Sequence, residues 1–241
     1  MPENDGARVS PGGWLLAIDT SSDRAGVALF DGQDMHLRQW PSVRAQTTQV
    51  LPVIRQMLTS ANLTISDLAA VAVATGPGAF TGLRVGMSLA KGFAMGRGIP
   101  LIGIPTLVAT ASPWTRAGVS VIAILPAGRG RIVWQRFGQE NQPHALQSVP
   151  VNTTPPELIE VVESVQVDAV VGELTETLRD QLRSLTVPLI VGAESPPRIG
   201  SVAALAYERL ARGIWDDRAS LQPTYVHGLR AAKLTISNPM P

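Results

Sequence analysis

The sequence predicts an α/β protein built from two tandem halves, and three observations predict it. Short, uninterrupted apolar runs of the kind found in buried strands alternate with stretches whose apolar residues recur at helical spacing. A pattern of two strands followed by alternating helices and strands occurs twice along the chain. The composition is that of a globular protein, with 45% hydrophobic residues and a formal net charge of +1 over 241 residues.

The first half is predicted to begin with three strands and to continue as alternating helices and strands, after a polar tail at 1–13. The predicted strands lie at 14–18, 25–30, 34–40, 68–74 and 101–104, and the predicted helices at 47–61 and 83–95. The apolar stripe of the first helix consists of Val50, Leu51, Ile54, Met57, Leu58 and Ala61.

The second half is predicted to repeat this pattern from residue 119 onward. Its predicted strands lie at 119–125, 131–137, 167–171 and 187–191, and its helices at 156–164, 175–185 and 201–212. The junction is expected near 105–118. We therefore expect an N-terminal domain, a smaller C-terminal domain and a C-terminal tail, at 14–108, 109–225 and 226–241.

A glycine-rich loop at Gly76–Gly82 leads into the helix at 83–95 and has two interpretations. Thr81 lies where an N-cap is expected, and exposed amides at a helix N-terminus attract anions, which favours a phosphate site. The loop lacks the lysine of the G-x-x-x-x-G-K-[ST] motif, so a tight structural turn is the other interpretation.

One face of the following helix carries almost no side chain, because small residues recur there at every fourth position. These residues are Gly82, Gly86, Ala90 and Ala94. Glycine inside a helix costs about 1 kcal/mol relative to alanine, so the close approach of another element should compensate. That element is either part of the same domain or a helix of a partner subunit.

Asp19-Thr20-Ser21 follows the first strand and is a candidate site for a phosphate and a metal-bound water. An Asx turn is the alternative interpretation of the same residues. A two-lobed phosphotransferase would carry a matching carboxylate in the second half, where this chain has Pro126. No catalytic residue is therefore predicted.

Several other kinds of chemistry are excluded or not expected. The chain has no cysteine, which excludes disulfides, thiolate zinc sites and cysteine nucleophiles. His36, His144 and His227 are far apart in the sequence, so no metal site and no cofactor are predicted. The near-zero net charge argues against binding nucleic acid alone. The sequence shows neither a secretory signal nor a membrane-spanning run, so we expect a cytoplasmic protein.

Two strings carry a resemblance to a known family: Ile18-Asp19-Thr20-Ser21 and Gly76-Pro77-Gly78-Ala79-Phe80-Thr81-Gly82-Leu83-Arg84-Val85-Gly86. Over about residues 14–225 the chain resembles the bacterial TsaB (YeaZ) family. Members of that family are required to form threonylcarbamoyladenosine (t6A) at position 37 of tRNA. The resemblance implies a fold of the actin/Hsp70/sugar-kinase (ASKHA) type with two RNase H-like halves.

The resemblance also implies partners. It implies a non-catalytic partner of the transferase TsaD that works with the ATPase TsaE, meets tRNA only within the complex and forms a homodimer when alone. In that family the helices matching about 47–61 and 82–95 pack against TsaD or a second copy. The implied interface residues are Val50, Ile54, Met57, Phe80, Thr81, Gly82, Val85, Gly86, Leu89, Ala90 and Ala94. A remnant of nucleotide binding would lie at Asp19, Thr20 and Ser21.

The chain departs from the patterns of its relatives at five positions. The catalytic relative carries two metal-binding histidines where this chain has Thr106 and Thr110, so no metal centre is expected there. Gln46 stands where a histidine is common, Pro126 where an aspartate is common and His227 where an arginine is common. These departures argue against a remaining nucleotide or metal function.

Two other functions stay open on the sequence. One is an active enzyme of the same fold, either a small-molecule kinase or a metallopeptidase-like enzyme, which would bind ATP or a metal in isolation. The other is a homodimer with an unrelated scaffolding role, which would have no affinity for TsaD.

Overall fold

The computed structural model describes residues 12–42, 46–138 and 149–226, with residues 46 and 47 described by their backbone alone. The chain divides into two compact units. One contains the residues up to Pro113 together with Pro196–Tyr225, and the other is formed by Trp114–Ser195.

The first unit is built on a five-stranded mixed sheet. Its strands are β1 (Trp14–Asp19), β2 (Arg24–Phe30), β3 (Met35–Pro41), β4 (Leu68–Gly76) and β5 (Leu101–Pro105). Their order is β3-β2-β1-β4-β5, with β1–β2 and β2–β3 antiparallel and β1–β4 and β4–β5 parallel. The carboxyl ends of β1 and β4 therefore lie at the same edge of the sheet.

The second unit contains a second five-stranded sheet. Its strands are β6 (Val121–Pro126), β7 (Ile132–Phe137), β8 (Val151–Thr153), β9 (Ala169–Gly172) and β10 (Leu189–Val191). Read as β8-β7-β6-β9-β10, the order repeats that of the first sheet, again with two antiparallel and two parallel pairings. The predicted fold class, two duplicated RNase H-like halves of the ASKHA type, is confirmed, although β8 was not predicted.

Six α-helices accompany the described strands. They are α1 (Gln46–Ser60), α2 (Phe80–Arg97), α3 (Thr106–Arg116), α4 (Pro155–Ser164), α5 (Glu176–Gln181) and α6 (Arg198–Ala211). Short 3-10 turns lie at Ile65–Asp67 and Gly192–Glu194. The helix α3 occupies the region expected to be a junction.

The first sheet is covered on both faces. On one face, Val50 and Ile54 of α1 and Ala90 of α2 share a core with Leu16 and Val73 of the sheet. On the other face α6 packs against the sheet, and its residues belong to a core that also contains Leu15 and Ala72. Because α6 buries its apolar face here, residues 196–225 belong to the first unit and not to the domain predicted at 109–225.

The core of the second unit lies between its sheet and its two helices. Ile122 and Val170 of the sheet pack with Leu158 of α4 and Leu178 of α5. The helix α4 begins with a capping box in which Glu157 accepts the backbone N–H (2.7 Å) and the hydroxyl (2.9 Å) of Thr154.

The helix α2 is longer than predicted at both ends. Its N-cap residue is Ala79, which has an extended backbone, so the predicted N-cap Thr81 lies inside the first turn. Gly98 closes the helix in the left-handed conformation, with φ of 67°, as glycine commonly does at the end of a helix.

Candidate functional site

Three segments of the first unit meet at the carboxyl ends of β1 and β4. They are the turn Thr20–Asp23 after β1, the loop Pro77–Ala79 between β4 and α2, and the start of α6 at Arg198. The sequence analysis singled out the first two segments as separate candidates, and the parallel pairing of β1 with β4 brings them together.

Asp19, the last residue of β1, forms a buried ion pair with Arg198. The Arg198 Nε atom lies 2.7 Å from Asp19 Oδ2, and the two side chains are only 5% and 3% exposed. The other carboxylate oxygen, Oδ1, accepts the backbone N–H of Ser21 at 2.9 Å and its hydroxyl at 2.6 Å. Both oxygens of Asp19 are therefore bonded within the protein.

The hydrogen bond from the Ser21 N–H to the Asp19 side chain defines an Asx turn, the structural interpretation that the sequence left open. Arg198 extends the network, because its Nη2 donates to the hydroxyls of Ser21 (3.2 Å) and Ser22 (2.9 Å). The arrangement joins a carboxylate, two hydroxyls and a guanidinium in one buried cluster.

The turn and the loop are also joined through backbone groups. The Ala79 N–H donates to the Ser21 carbonyl oxygen at 2.7 Å, and the Thr20 hydroxyl donates to the Gly82 carbonyl oxygen at 2.6 Å. A side chain at Gly78 would collide with that Ser21 carbonyl, so only glycine fits there. Thr20 is therefore engaged by α2, and Ser21 by both the loop and Arg198.

The small-residue face of α2 turns inward. Gly82, Gly86, Ala90 and Ala94 are buried, and a Cβ atom at Gly86 would collide with the Thr20 hydroxyl of the same unit. The structure therefore decides between the two interpretations of this face, since the approaching element is the sheet of its own unit.

The residues expected at a partner interface divide into two groups. Seven are buried in the first unit and cannot contact a partner in this structure: Val50, Ile54, Met57, Gly82, Gly86, Ala90 and Ala94. Their assignment to a surface is corrected, because they form the core between the helices and the sheet. The four others, Phe80, Thr81, Val85 and Leu89, are exposed or half-buried.

The outer sides of α1 and α2 present exposed apolar side chains that the predicted interface set did not include. Leu51 is 47% exposed and Met95 is 65% exposed, compared with 49% for Phe80. Gly92 and Gly96 of α2 face open space. A shallow groove of about 550 Å³ runs along α1 beside Leu51. We call the solvent-facing sides of the two helices the α1–α2 outer face, and define it by Leu51, Phe80, Gly92, Met95 and Gly96.

An aromatic–arginine cluster lies at the N-terminal end of α2. The rings of Phe80 and Tyr225 lie 5.1 Å apart, and the Arg84 guanidinium lies 3.9 Å from the centroid of the Phe80 ring. Arg84 Nε also donates to the Tyr225 hydroxyl at 3.2 Å. The cluster attaches the segment that follows α6 to the start of α2.

The positions that differ from the relatives have ordinary structural roles where they can be described. Thr106 is buried and accepts the Gly76 N–H at 3.1 Å, and the Thr110 hydroxyl donates to the Thr106 carbonyl at 2.9 Å. Pro126 ends β6. The side chain of Gln46 and all of His227 lie outside the described residues.

Neither a metal-binding cluster nor a membrane-spanning helix is found in the described ranges. Among the residues that the structure describes, no three His, Cys, Asp or Glu side chains lie together as a metal-binding group. None of the described helices has the length and apolar character needed to cross a membrane.

Arg198 is the member of the site that the sequence did not reveal. It lies 179 residues from Asp19 at the start of a helix, and nothing in the local sequence distinguishes it from a surface arginine. Its neighbour Ile199 seats α6 on β2, where Gly26 has no room for a side chain because a Cβ would lie 2.8 Å from Ile199.

The chain is similar to known proteins in both sequence and fold. A sequence family described as "TsaD: tRNA N6-adenosine threonylcarbamoyltransferase" matches residues 41–149. Two solved structures from Pseudomonas aeruginosa, one described as YeaZ and one as similar to peptidase YeaZ, superpose with TM-scores of 0.72 and 0.73. Both are 24% identical, and each match covers 89% of this chain and 100% of the other, which shows a shared fold.

Curated relatives are named tRNA threonylcarbamoyladenosine biosynthesis protein TsaB. The Escherichia coli protein is 33% identical over 128 residues, 52% of this chain and 55% of the relative. The Haemophilus influenzae protein is 40% identical over 98 residues, 40% of this chain and 41% of the relative. This chain thus spans about half the length of the curated relatives it matches. Together with the two sequence strings and the duplicated sheets, these matches support the resemblance of the chain to the TsaB (YeaZ) family.

Proposed function

We propose that the chain is a non-catalytic subunit of the bacterial machinery that forms t6A on tRNA. In this proposal it binds and activates the transferase TsaD together with the ATPase TsaE, and it meets tRNA only within the complex. The names of the curated relatives support the t6A role. The proposal includes a cytoplasmic location, where tRNA is modified, and a homodimer when no other partner is present.

The observation that carries the partner role is the α1–α2 outer face. Leu51, Phe80 and Met95 expose large apolar groups on one layer of helices, a pattern typical of protein-binding surfaces. Gly92 and Gly96 leave space in which a helix of a partner could approach the α2 backbone closely. The proposed interface therefore keeps the two predicted helices but uses their outward residues.

The charge of these helices indicates the chemistry of the partner surface. The segments Gln46–Ser60 and Phe80–Arg97 contain no aspartate or glutamate, and they carry Arg55, Arg84, Lys91 and Arg97. None of these four cations forms an ion pair with a described carboxylate within 4.0 Å. A partner with an acidic rim would complement this face, and raising the salt concentration should then weaken the complex.

The state of Asp19 supports a non-catalytic role. A carboxylate that activates a metal-bound water needs an oxygen directed at the ligand, whereas both Asp19 oxygens bond to Ser21 and Arg198. The matching position in the second unit is Pro126, which has no carboxylate. The exposed interface and the closed Asp19 site both favour a scaffold over a kinase or peptidase.

The proposal is tested by mixing the purified chain with TsaD of the same organism and measuring mass by light scattering after size exclusion. Leu51→Arg should weaken the complex by about tenfold or more, because it places a charge in the apolar centre of the interface. Ile214→Arg is the matched control, since Ile214 is also 47% exposed but follows α6.

Loss of binding with Leu51→Arg alone supports the proposal. Equal loss of binding with both variants would mean that the interface is not specific to the α1–α2 outer face. No complex with the wild-type chain at any salt concentration, or ATP hydrolysis by the chain alone, would contradict the proposal and favour an enzyme.

A further inference from the structure

The buried cluster around Asp19 is made of groups that commonly bind cations. The positive group within it is the side chain of Arg198. We propose that the Arg198 guanidinium is a built-in cation that occupies this site, keeps external cations out and holds the loop before α2 in position. This inference does not depend on which partner the chain binds.

The donor set fits a cation. A carboxylate and hydroxyl oxygens are ligands of hard cations such as Mg²⁺, and here Asp19, Ser21 and Ser22 surround a single positive group. The planar guanidinium contacts all three side chains at once, which the single ammonium of a lysine could not do with the same geometry. Burial of Asp19 (2%) and Arg198 (6%) leaves the site closed to solvent.

The same cluster sets the start of α2. Ser21 is hydrogen-bonded to Asp19 and Arg198 through its side chain, and its carbonyl accepts the Ala79 N–H at 2.7 Å. Arg198 thus acts on the loop through Ser21. It is a positioning residue that connects α6, on one face of the sheet, with α2 on the other.

The neighbouring pair Arg209–Asp216 provides a matched control. Arg209 lies on the same helix and within 3.3 Å of a carboxylate oxygen, but the two side chains are 31% and 29% exposed. Arg209 also donates to the Gly103 carbonyl at 2.7 Å, away from the Asp19 cluster. Its removal tests the loss of an α6 ion pair that does not contact the loop.

The experiment compares thermal unfolding of the wild-type chain, Arg198→Ala and Arg209→Ala. Removing one partner of a buried pair leaves an uncompensated charge, so Arg198→Ala should lower the Tm by about 10 °C. Arg209→Ala should lower it by about 3 °C or less, because a part-exposed pair contributes little. Millimolar guanidinium chloride, or millimolar Mg²⁺, should then restore several degrees to Arg198→Ala and leave the other two proteins unchanged.

A local readout separates positioning from general stability. In Arg198→Ala the Ala79 amide should exchange with deuterium at least about tenfold faster, while the Val27 amide in the middle of β2 should change only with global stability. In Arg209→Ala the Ala79 amide should keep its protection.

Three results would overturn the inference: no rescue of Arg198→Ala by either cation, a Tm of the wild-type chain that rises with Mg²⁺, or unchanged protection of Ala79. If Arg198→Ala does not fold, the pair Asp19→Asn and Arg198→Met replaces it. The double variant should then lose less Tm than the sum of the two single losses, and a simple sum would count against the proposal.

Discussion

The two units share a strand order but differ at the turn that follows their first strand. In the first unit the turn Thr20–Asp23 carries hydroxyl groups that join Asp19 and Arg198 in a buried network. In the second unit β6 ends at Pro126, and the exposed turn Gly128-Arg129-Gly130 has φ angles of 72°, 52° and 69°. The sheet therefore determines where a site can lie, and the residues of the turn decide whether one forms.

The units also differ in the helix that follows their fourth strand. In the first unit α2 has 18 residues, which gives it an inner face for the sheet and a long outer face. In the second unit α5 has 6 residues. Leu178 within this helix and Leu182 at its C-terminal end are both buried in the core. Among the described residues, a long helix after the fourth strand is thus found in the first unit and not in the second.

The difference between the two turns predicts the largest effect. Asp19→Ala should lower the free energy of unfolding by about 3–5 kcal/mol, because Arg198 would remain buried without its counter-ion. Pro126→Ala, at the matching place in the second sheet, should change it by less than about 1 kcal/mol. Urea unfolding of both variants measures the two changes in the free energy of unfolding. Similar losses would mean that the buried network does not stabilise the first unit more than the turn at Pro126 stabilises the second.

The glycines that end the fourth strands predict a smaller effect. Gly172 has φ of 140°, and a Cβ there would collide with the Ile124 carbonyl of the same sheet, so Gly172→Ala should cost about 3 kcal/mol. Gly76 has φ of 108°, and its Cβ would lie 2.5 Å from the Thr224 carbonyl of the segment after α6.

That segment is not a strand of the sheet, although the Thr224 N–H donates to the Thr75 carbonyl of β4 at 2.7 Å, so we expect Gly76→Ala to cost about 2 kcal/mol or less. Urea unfolding checks the order of the two variants. A larger loss for Gly76→Ala would show that the segment after α6 is held as firmly as the sheet itself.

The smallest effect concerns Asp217, in the segment that the first unit adds after α6. The backbone N–H and the hydroxyl of Ser220, with a further bond from the Ala219 N–H, lower the pKa of the Asp217 carboxyl below its ordinary value. A lowered pKa means that the carboxylate stabilises the folded turn above the ordinary pKa of 3.8, and that this contribution disappears as the pH falls through the folded pKa.

The Ser220 amide resonance should therefore titrate with a midpoint below 3.8. Asp217→Asn should abolish that titration while leaving the Tm at neutral pH nearly unchanged, because the group is exposed. A midpoint above 3.8 would contradict the arrangement of the turn.

Local patterns in the sequence were enough to locate nearly all strands and helices. Continuous apolar runs identified β1, β4 and β6, because a strand buried on both faces has no polar alternation. They did not identify β8, which has only three residues, or α3, which begins directly after Pro105 of β5 and contains Pro113. The predicted apolar stripe of α1 included Leu51, which the structure exposes, because helical spacing alone does not fix the edge of the buried face.

The sequence by itself determined the duplicated α/β pattern and the resemblance to the TsaB (YeaZ) family, since these depend on residues close together in the chain. Only the tertiary structure decided that the small-residue face of α2 meets its own sheet, that α6 belongs to the first unit, and that Arg198 neutralises Asp19. These contacts join segments far apart in the chain, so no local spacing could reveal them. The pairing of β1 with β4 and the packing of α6 on the first sheet bring the segments together.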